Sequence, residues 1–404
     1  MMSEALGSNS ELRVLLVSPV RTLDPLSGDV TLTEQLLACP PPGVTYTPYD
    51  EALADGTLTD VGSRRSLREA RGPGRVGALA LAVWRKGEHL LRRSGLAYRE
   101  PLRFLKVRPG AFDLVHVHVF HTRFFGETPP IVMSGGGPMA WLYADAWNWN
   151  RGRIALANAI DRTIGKAWDG AICAMRPGRI TRFIAPNGQL REHLIADGWD
   201  ADQVDIIPNL LAAPAAPFKE PGSPRRLGFV AKDFRIKGGP VVLSAFEMLR
   251  RDHPELELLI VGSPPLLDEE EAAQRNITWL PLVDRQRLLD EIFPSIDILV
   301  YPSMFDTGVP YSTLEPLSHG VPAVVSDYRG LPDLVEGGAG RVARAEPAAV
   351  AAAVEELLDP DQWIRASHAA TERFRTVYAA AGQGQTLAAV YRSVLDAERP
   401  LTTT

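Results

Sequence analysis

The chain has few cysteines and no long apolar run. Cys39 and Cys173 are the only cysteines in 404 residues. Neither a disulfide framework nor a cysteine-rich metal site is indicated, and a reducing compartment fits best. No window reaches the length of a membrane span, and the N-terminal residues lack the basic start and apolar core of a secretion signal. We therefore expect a cytoplasmic protein.

The sequence also lacks the excess of basic residues that is typical of proteins that bind nucleic acid. It has 43 Lys and Arg against 49 Asp and Glu, a formal net charge of -6, which argues against nonspecific nucleic-acid binding. Residues 64–108 differ from this average, because they contain 13 Lys or Arg and only three acidic residues. One surface is therefore predicted to be basic.

The basic segment ends in "LALAVWRKGEHLLRRSGLAYREPLRFLKVR", where apolar residues are mixed with Arg and Lys at near-helical spacing. An amphipathic basic helix can lie on an anionic membrane surface, which would give peripheral contact with the inner face of the membrane through residues 64–108. A solvated helical face produces the same pattern. The sequence leaves both interpretations open.

A dinucleotide fingerprint is missing as well. The segment "MSGGGPMAWLYADAWNWN" has glycines after a strand-like run but no GxGxxG, so a nicotinamide or flavin site is not supported. Trp141 and Tyr143 in this segment are candidates for stacking on an acceptor, and packing of a helix core is the alternative.

Strand-like and helix-like runs alternate through the chain, which predicts α/β architecture with parallel sheets. Proline and small residues interrupt this alternation in "LLAAPAAPFKEPGSP", which we interpret as an interdomain linker. Two similar α/β domains are expected to face a central cleft. The predicted segments are an N-terminal domain at 1–211, a linker at 212–224, a second domain at 225–375 and a helical tail at 376–404 that crosses back to the first domain.

The stretch "VYPSMFDTGVPYSTLEPLSHGVPAVVSD", residues 300–327, reads as a strand, a loop, a short helix and a second strand. Ligands of open parallel sheets bind at the carboxyl ends of strands, where helix N-termini present unpaired N–H groups that suit an anion. Asp306 stands before this helix and Glu315 inside it. Because carboxylates repel phosphate, we expect both acids to bind hydroxyl groups.

Several segments together resemble the retaining nucleotide-sugar glycosyltransferases of the GT-B fold, glycosyltransferase family four. They are "GFVAKDFRIKGG", "LLIVGSPP", "DILVYPS" and "STLEPLSHGVPAVVSD", with "DLVHVH" and "VDIIPN" upstream. The resemblance implies two Rossmann-like domains and transfer of a sugar from a nucleotide-sugar donor to an unidentified acceptor. It also implies front-face attack with no metal and no cofactor beyond the nucleotide-sugar co-substrate.

The resemblance also implies roles for residues of the second domain. Lys232 and Lys237 match the two cations that hold the departing diphosphate, although a solvated loop is the alternative. Glu315 matches the acid that binds the ribose. Asp306 would bind the transferred sugar, but it lies one residue too far from Glu315, so Thr307 occupies the expected place or the loop has an insertion. The implied donor-binding residues are Gly28, Lys232, Lys237, Asp306, Thr307, Gly308, Val309, Pro310, Tyr311, Ser312 and Glu315.

In the first domain, Gly28 and Asp29 open a predicted helix whose N-terminus suits a phosphate or acceptor. His116 and His118 share one face of a strand, with His121 just beyond it. By resemblance His118 positions the donor or acceptor sugar and joins Lys232, Lys237 and Asp306 as a catalytic candidate, and a satisfied core histidine is the alternative. The acceptor-side candidates are Asp29, His121, Trp141 and Tyr143.

Two other functions fit the same sequence. A nucleotide-sugar epimerase of this architecture would consume a nucleotide-sugar without a second substrate. A noncatalytic module that binds a nucleotide-sugar or a partner protein is the other possibility, because the acid spacing is altered.

Overall fold

The computed structural model describes residues 11–18, 28–61, 103–118, 122–136, 149–164, 179–212, 219–220, 222–264, 269–306 and 308–398. These residues form two compact units. The first unit extends to Ile207 and includes the C-terminal residues from Gly384 onward, and the second comprises Pro208–Gln383.

The first unit alternates strands and helices. Its elements before the second unit are β1 (Leu12–Val17), α1 (Gly28–Ala38), β2 (Val44–Pro48), α2 (Tyr49–Ala54), β3 (Leu58–Asp60), β4 (Arg103–Val107), β5 (Leu114–His118), β6 (Thr122–Phe124), β7 (Ile131–Ser134), α3 (Arg151–Ile164), β8 (Ile180–Ala185), α4 (Gly188–Ala196), a 3₁₀ turn (Ala201–Gln203) and β9 (Val204–Ile206).

The main sheet of this unit has six described strands in the order β2-β1-β5-β7-β8-β9, and every neighbouring pair is parallel. All five residues of β5 and all four of β7 are buried, as expected for parallel strands that are covered on both faces. The strand order reverses between β1 and β5. Ligands of open α/β sheets bind at such a reversal, beside the carboxyl ends of the strands.

A second, smaller sheet of this unit corrects one prediction. The last residues of the basic segment were expected to continue a helix, but Arg103–Val107 form β4. β4 pairs antiparallel with β3 and parallel with β6. Phe104, Leu105 and Val107 are buried and Lys106 is exposed, so sheet pairing and burial override the near-helical spacing. The rest of the segment up to residue 102 lies outside the described residues.

The second unit repeats the α/β alternation. Its elements are β10 (Arg226–Ala231), α5 (Gly239–Leu249), β11 (Glu257–Gly262), α6 (Glu269–Gln274), β12 (Ile277–Leu280), α7 (Arg285–Arg287) continued by a π-helical turn (Leu288–Ile292) and a 3₁₀ turn (Phe293–Ser295), β13 (Ile298–Tyr301), α8 (Tyr311–Ser318), β14 (Ala323–Ser326), α9 (Pro332–Val335), a 3₁₀ turn (Glu336–Gly338), β15 (Gly340–Ala343), α10 (Pro347–Leu358), α11 (Pro360–Arg373), a π-helical turn (Phe374–Tyr378) and the start of α12 (Ala380–Glu398).

The sheet of the second unit has six described strands in the order β12-β11-β10-β13-β14-β15. Neighbouring strands are parallel throughout, and the core includes the fully buried Phe229, Ile260, Leu299 and Val324. The order reverses between β10 and β13. The loops that follow these two strands therefore meet at the position where such folds bind ligands.

In the part of the chain that the structure describes, no helix is both long enough and apolar enough to cross a membrane.

Candidate active site

The loops after β10 and β13 bring two predicted site residues together. Lys237 lies in the first loop and Asp306 in the second, and Lys237 Nζ is 2.5 Å from Asp306 Oδ1. The two side chains are only 18% and 11% exposed. Lys237 Nζ also lies 4.9 Å from the centroid of the Phe305 ring, a cation–π contact. The ammonium group is therefore fixed by a carboxylate and an aromatic face at the reversal point of the sheet.

The second carboxylate oxygen of Asp306 is not used by this ion pair. Asp306 Oδ2 is buried and has no hydrogen-bond partner among the described residues. Burial raises the pKa of the Tyr301 hydroxyl, and the neighbouring charge of Asp306 raises it further. Asp306 thus has an unused acceptor in a site where ionised and hydroxyl groups are close together, and a buried acceptor without a donor is costly. A ligand hydroxyl could satisfy it.

The loop that carries Lys237 is held by its own backbone and by aromatic packing. Asp233 Oδ1 accepts from the Ile236 N–H at 2.9 Å, and the Phe234 carbonyl accepts from the Gly239 N–H at 2.7 Å. Phe234 is buried and packs edge-on against Phe229. The position of Lys237 is therefore set by a folded turn.

Gly238 is required by this turn for two reasons. Its φ is +89°, a left-handed conformation that favours glycine. A Cβ at this position would also clash with the carbonyl oxygen of Pro302. The loop that carries Lys237 can therefore pass directly over the start of the loop that carries Asp306.

Glu315 lies in α8 and is paired with a residue that the sequence did not identify. Its Oε1 accepts from Arg285 Nε at 2.8 Å, and the Glu315 side chain is 5% exposed. Burial raises the pKa of Glu315, and the charge of Arg285 opposes that change. Arg285 therefore favours the ionised carboxylate in a place where burial alone favours the protonated acid.

The segment before α8 is fixed from the start of the second unit. Asn209 Nδ2 donates to the Val309 carbonyl at 2.9 Å, and the Tyr311 hydroxyl donates to the Leu210 carbonyl at 3.0 Å. Pro310 is the N-cap of α8 with extended backbone angles. Val309 and Tyr311 are buried, so their side chains act in packing and any ligand contact there would come from the backbone. Gly308 and Ser312 are half-buried.

Lys232 is placed differently from Lys237. It follows the last residue of β10 and its side chain is exposed, while its carbonyl accepts from the Ser263 hydroxyl. Both lysines lie in the loop at the carboxyl end of β10. Thr307, the alternative to Asp306 for the first acid position, lies outside the described residues.

In the first unit, the reversal point brings His118 and Asp29 together. His118 ends β5 and Asp29 lies in the first turn of α1, beside the exposed Gly28. His118 Nε2 is 3.5 Å from Asp29 Oδ1, and His118 Nδ1 is 2.8 Å from Ser134 Oγ. The predicted candidates His121, Trp141 and Tyr143 lie outside the described residues.

Neighbouring His116 is part of the core. It is 2% exposed, and its two ring nitrogens lie 2.6 Å from Tyr391 Oη and 2.8 Å from Ser134 Oγ. Burial lowers the pKa of His116 to about 3, with a smaller effect of His118 in the same direction. His116 is therefore a neutral imidazole at neutral pH. The described residues contain no group of three or more His, Cys, Asp or Glu side chains arranged to hold a metal ion.

Sequence reasoning missed Arg285, Asn209 and Tyr391. "VDIIPN" was noted as a motif, but nothing local showed that Asn209 bonds the Val309 carbonyl. Tyr391 is 275 residues from His116, so no spacing rule could have joined them. The Asp284 N-cap before Arg285 predicts a helix start and says nothing about Glu315.

Comparison with known proteins supports an enzymatic interpretation of the second unit. Residues 224–360 match the family model described as Glycosyl transferases group 1. The second unit contains a group 1 glycosyl transferase domain. No curated protein matches the chain in sequence.

Solved structures resemble the chain over most of its length. HepE from Anabaena, in complex with UDP and glucose, is 12% identical with a TM-score of 0.57, over 95% of this chain and 100% of HepE. Sucrose-phosphate synthase from Thermosynechococcus elongatus is 15% identical with a TM-score of 0.57, over 96% of this chain and 100% of that one.

A third structure is similar over a smaller part. The pneumococcal O-GlcNAc transferase GtfA, in complex with UDP and GlcNAc, is 15% identical with a TM-score of 0.51, over 70% of this chain and 57% of GtfA. The chain thus spans little more than half of that protein. At these identities the likeness shows the fold alone. It confirms the predicted α/β architecture with parallel sheets, which GT-B glycosyltransferases share.

Proposed function

We propose that this protein is a retaining glycosyltransferase that moves a sugar from a nucleotide-sugar to an acceptor by metal-independent front-face transfer. One observation carries the proposal. The Lys237–Asp306 pair lies at the reversal point of the sheet, inside the region that matches the Glycosyl transferases group 1 model. A fixed cation there suits a diphosphate, and a fixed acid suits a sugar hydroxyl.

In the proposed reaction, the bond between the anomeric carbon and the β-phosphate oxygen breaks while the acceptor oxygen bonds to the same face of that carbon. The acceptor proton passes to the departing phosphate oxygen, so no separate base is required. Negative charge grows on the phosphate as the bond breaks. Lys237 and Lys232, with the first-turn amides of α8, would stabilise this charge because they are positioned before the reaction.

The acids have separate roles in this proposal. Asp306 Oδ2, which is buried and lacks a donor among the described residues, would accept from a hydroxyl of the transferred sugar. Glu315 would accept from the ribose hydroxyls, and its hydrogen bond from Arg285 favours the ionised carboxylate. In the first unit, His118 and Asp29 would bind hydroxyls of the sugar-bearing substrates.

A ligand screen followed by product analysis tests the proposal. Because HepE and GtfA were solved with UDP, UDP-glucose and UDP-GlcNAc are the first donors to test, followed by sugars of other nucleotides. A bound donor raises the melting temperature by mass action. The proposal expects nucleoside diphosphate release with EDTA present and a product of unchanged anomeric configuration. An epimerised donor without diphosphate release would indicate an epimerase, and stabilisation without turnover for any acceptor would indicate a binding module.

Peripheral membrane contact through residues 64–108, at the cytoplasmic face, belongs to the same proposal. The net positive charge of this segment supports it, since anionic lipids attract polybasic segments. Co-sedimentation with phosphatidylserine vesicles should weaken as salt rises and after Arg85, Lys86, Arg92 and Arg93 are replaced by Ala. Absence of binding at low salt would favour a solvated face.

A further inference from the structure

A chain of hydrogen-bonding side chains runs through the core of the first unit. Tyr46 Oη lies 2.8 Å from Tyr391 Oη, and Tyr391 Oη lies 2.6 Å from His116 Nδ1. His116 Nε2 lies 2.8 Å from Ser134 Oγ, and Ser134 Oγ lies 2.8 Å from His118 Nδ1. The chain links four elements, β2, α12, β5 and β7. His116, His118, Ser134 and Tyr391 are all at least nine-tenths buried.

Among the described residues, this series of hydrogen bonds ends beside the Asp29 carboxylate. His118 Nε2 is 3.5 Å from Asp29 Oδ1, and the side chains are 5% and 42% exposed. His118 Nε2 is buried and has no well-formed hydrogen bond to any described residue. His118 Nε2 therefore faces the Asp29 carboxylate and is still able to bind a ligand.

The Asp29 carboxylate determines the direction in which the side chains of this hydrogen-bonded series donate. A carboxylate can only accept, so a proton on His118 Nε2 is the arrangement that matches Asp29. A neutral His118 then has a bare Nδ1, and the Ser134 hydroxyl must donate to it. Because Ser134 has one proton, its oxygen accepts from His116 Nε2–H.

The proton positions at the far end of the chain follow from the neutral state of His116. His116 is neutral at neutral pH, since burial holds its pKa at about 3, so it has one N–H, at Nε2. Its Nδ1 therefore accepts from the Tyr391 hydroxyl, and Tyr391 in turn accepts from Tyr46. Every group donates once, and all the donors point toward Asp29.

We propose that Asp29 is a positioning residue that holds His118 as the Nε2–H tautomer, and that the buried chain through Ser134 and His116 to Tyr391 stabilises this tautomer. The consequence for function rests on the glycosyl transfer proposed above. An N–H donor and a carboxylate acceptor 3.5 Å apart can bind one hydroxyl, which accepts from His118 and donates to Asp29. The site would thus distinguish a hydroxyl from an ether or a methyl group.

A charged His118 would give the opposite order. Its Nδ1–H would donate to Ser134, Ser134 would donate to His116 Nε2, and His116 would carry its proton at Nδ1. The tautomer of His116 therefore reports the direction of the whole chain. Among the described residues, the titratable groups along this series of hydrogen bonds are Asp29 of α1, Tyr46 of β2, His116 and His118 of β5, and Tyr391 of α12.

Long-range ¹H–¹⁵N spectra of the whole protein test this assignment. The protein is labelled at its histidine nitrogens, and the spectra are recorded near neutral pH without substrate. The expected result is protonated Nε2 and bare Nδ1 for both His116 and His118. A His116 signal with protonated Nδ1, or a doubly protonated His118, overturns the proposal. The spectra need no activity, so they remain decisive even if no glycosyl transfer is found.

Substitutions test the part played by Asp29 and by the chain. Asp29→Ala removes the acceptor and should give mixed tautomers at His118, whereas Glu34→Gln, on the exposed side of the same helix, should leave both histidines unchanged. Tyr391→Phe should also broaden the tautomer population, with kcat about 10-fold lower, as expected for loss of one buried hydrogen bond.

Tyr378→Phe is the matched control for Tyr391→Phe. It removes another buried tyrosine hydroxyl, which donates to the Asp333 carbonyl in the second unit, and it should leave both histidine spectra as in the parent. If Tyr391→Phe does not fold, Ser134→Ala interrupts the same chain. Purely Nε2–H His118 in both Asp29→Ala and Ser134→Ala would contradict the proposal.

Discussion

Lys237 and Asp306 are 69 residues apart in the sequence, and Nζ of one lies 2.5 Å from Oδ1 of the other. They follow β10 and β13, the two strands between which the order of the second sheet reverses. A lysine in a solvated loop would have no fixed position. Here the acid fixes the ammonium group, and the same acid retains a buried oxygen that has no donor among the described residues.

Gly238→Ala should displace the loop that positions Lys237. The substitution places a Cβ at φ +89° and against the Pro302 carbonyl, so we expect a loss of about 2 to 4 kcal/mol in unfolding free energy. Gly337→Ala is the control, because Gly337 has φ +77° but open space around its Cβ position. Denaturant unfolding should show the larger loss for Gly238→Ala. Equal losses would mean that the contact with Pro302 is not required.

Asp306→Asn separates two functions of one carboxylate. The amide keeps the shape but no longer competes with phosphate for Lys237, so we expect nucleoside diphosphate to bind at least as tightly as in the parent. Turnover should fall by about 10-fold or more, because a charged acceptor for the sugar hydroxyl is lost. Calorimetric titration with UDP and steady-state kinetics measure the two effects. Weaker UDP binding together with unchanged turnover would place Asp306 outside the sugar site.

Much of the fold could be predicted from the sequence because buried parallel strands have a strong local signal. The predicted alternation of strands and helices is confirmed, and the quoted segments that begin with "GFVA" and "LLIVG" start within β10 and β11. Arg103–Val107 was misread, because a short strand of a small sheet is set by its partners β3 and β6. Its own spacing of apolar and basic residues fits a helix equally well.

The candidate site was less predictable, because its contacts join residues that are distant in the sequence. Family resemblance named Lys237, Asp306 and Glu315, but it could not show that Lys237 is paired with Asp306. Nor could it show that Arg285 pairs with Glu315. These pairs depend on how two loops and a short helix pack in three dimensions. No single segment of the sequence encodes them.

Glu315→Gln should weaken donor binding by about 1 to 3 kcal/mol, the usual contribution of a hydrogen bond to a charged group. Its effect on stability should depend on pH. Burial raises the pKa of Glu315 above its unfolded value, so the native state binds the proton more tightly and its stability falls as pH rises through that window. The melting temperature of the variant relative to the parent should therefore increase from pH 4 to pH 7. A constant difference would mean that Glu315 is not destabilised by burial.

His116→Gln should make the protein less sensitive to acid. The folded pKa of His116 is about 3 and its unfolded value is about 6.5. The stabilisation that the folded state gains from a neutral His116 is therefore fully present above pH 6.5 and is lost as pH falls toward 3. Each pH unit in this window corresponds to about 1.4 kcal/mol. Between pH 7 and pH 5, urea unfolding should show a smaller decrease in unfolding free energy for the variant than for the parent. Equal losses would show that His116 is not held neutral.

The proposed function requires Lys237 to stabilise a departing diphosphate. Charge on the phosphate grows as the glycosidic bond breaks, so Lys237→Ala should lower turnover more than it weakens binding of the intact donor. The control is Lys106→Ala, which removes an exposed lysine of β4 in the first unit and should leave both quantities unchanged.

The most direct measurement is the donor Kd and the single-turnover rate of Lys237→Ala beside the parent, with the donor that the ligand screen identifies. We predict a barrier increase of about 2 to 4 kcal/mol and a smaller loss in binding free energy. A single-turnover rate within a factor of about two of an active parent, whatever the change in Kd, would contradict this prediction, since each tenfold in rate corresponds to about 1.4 kcal/mol.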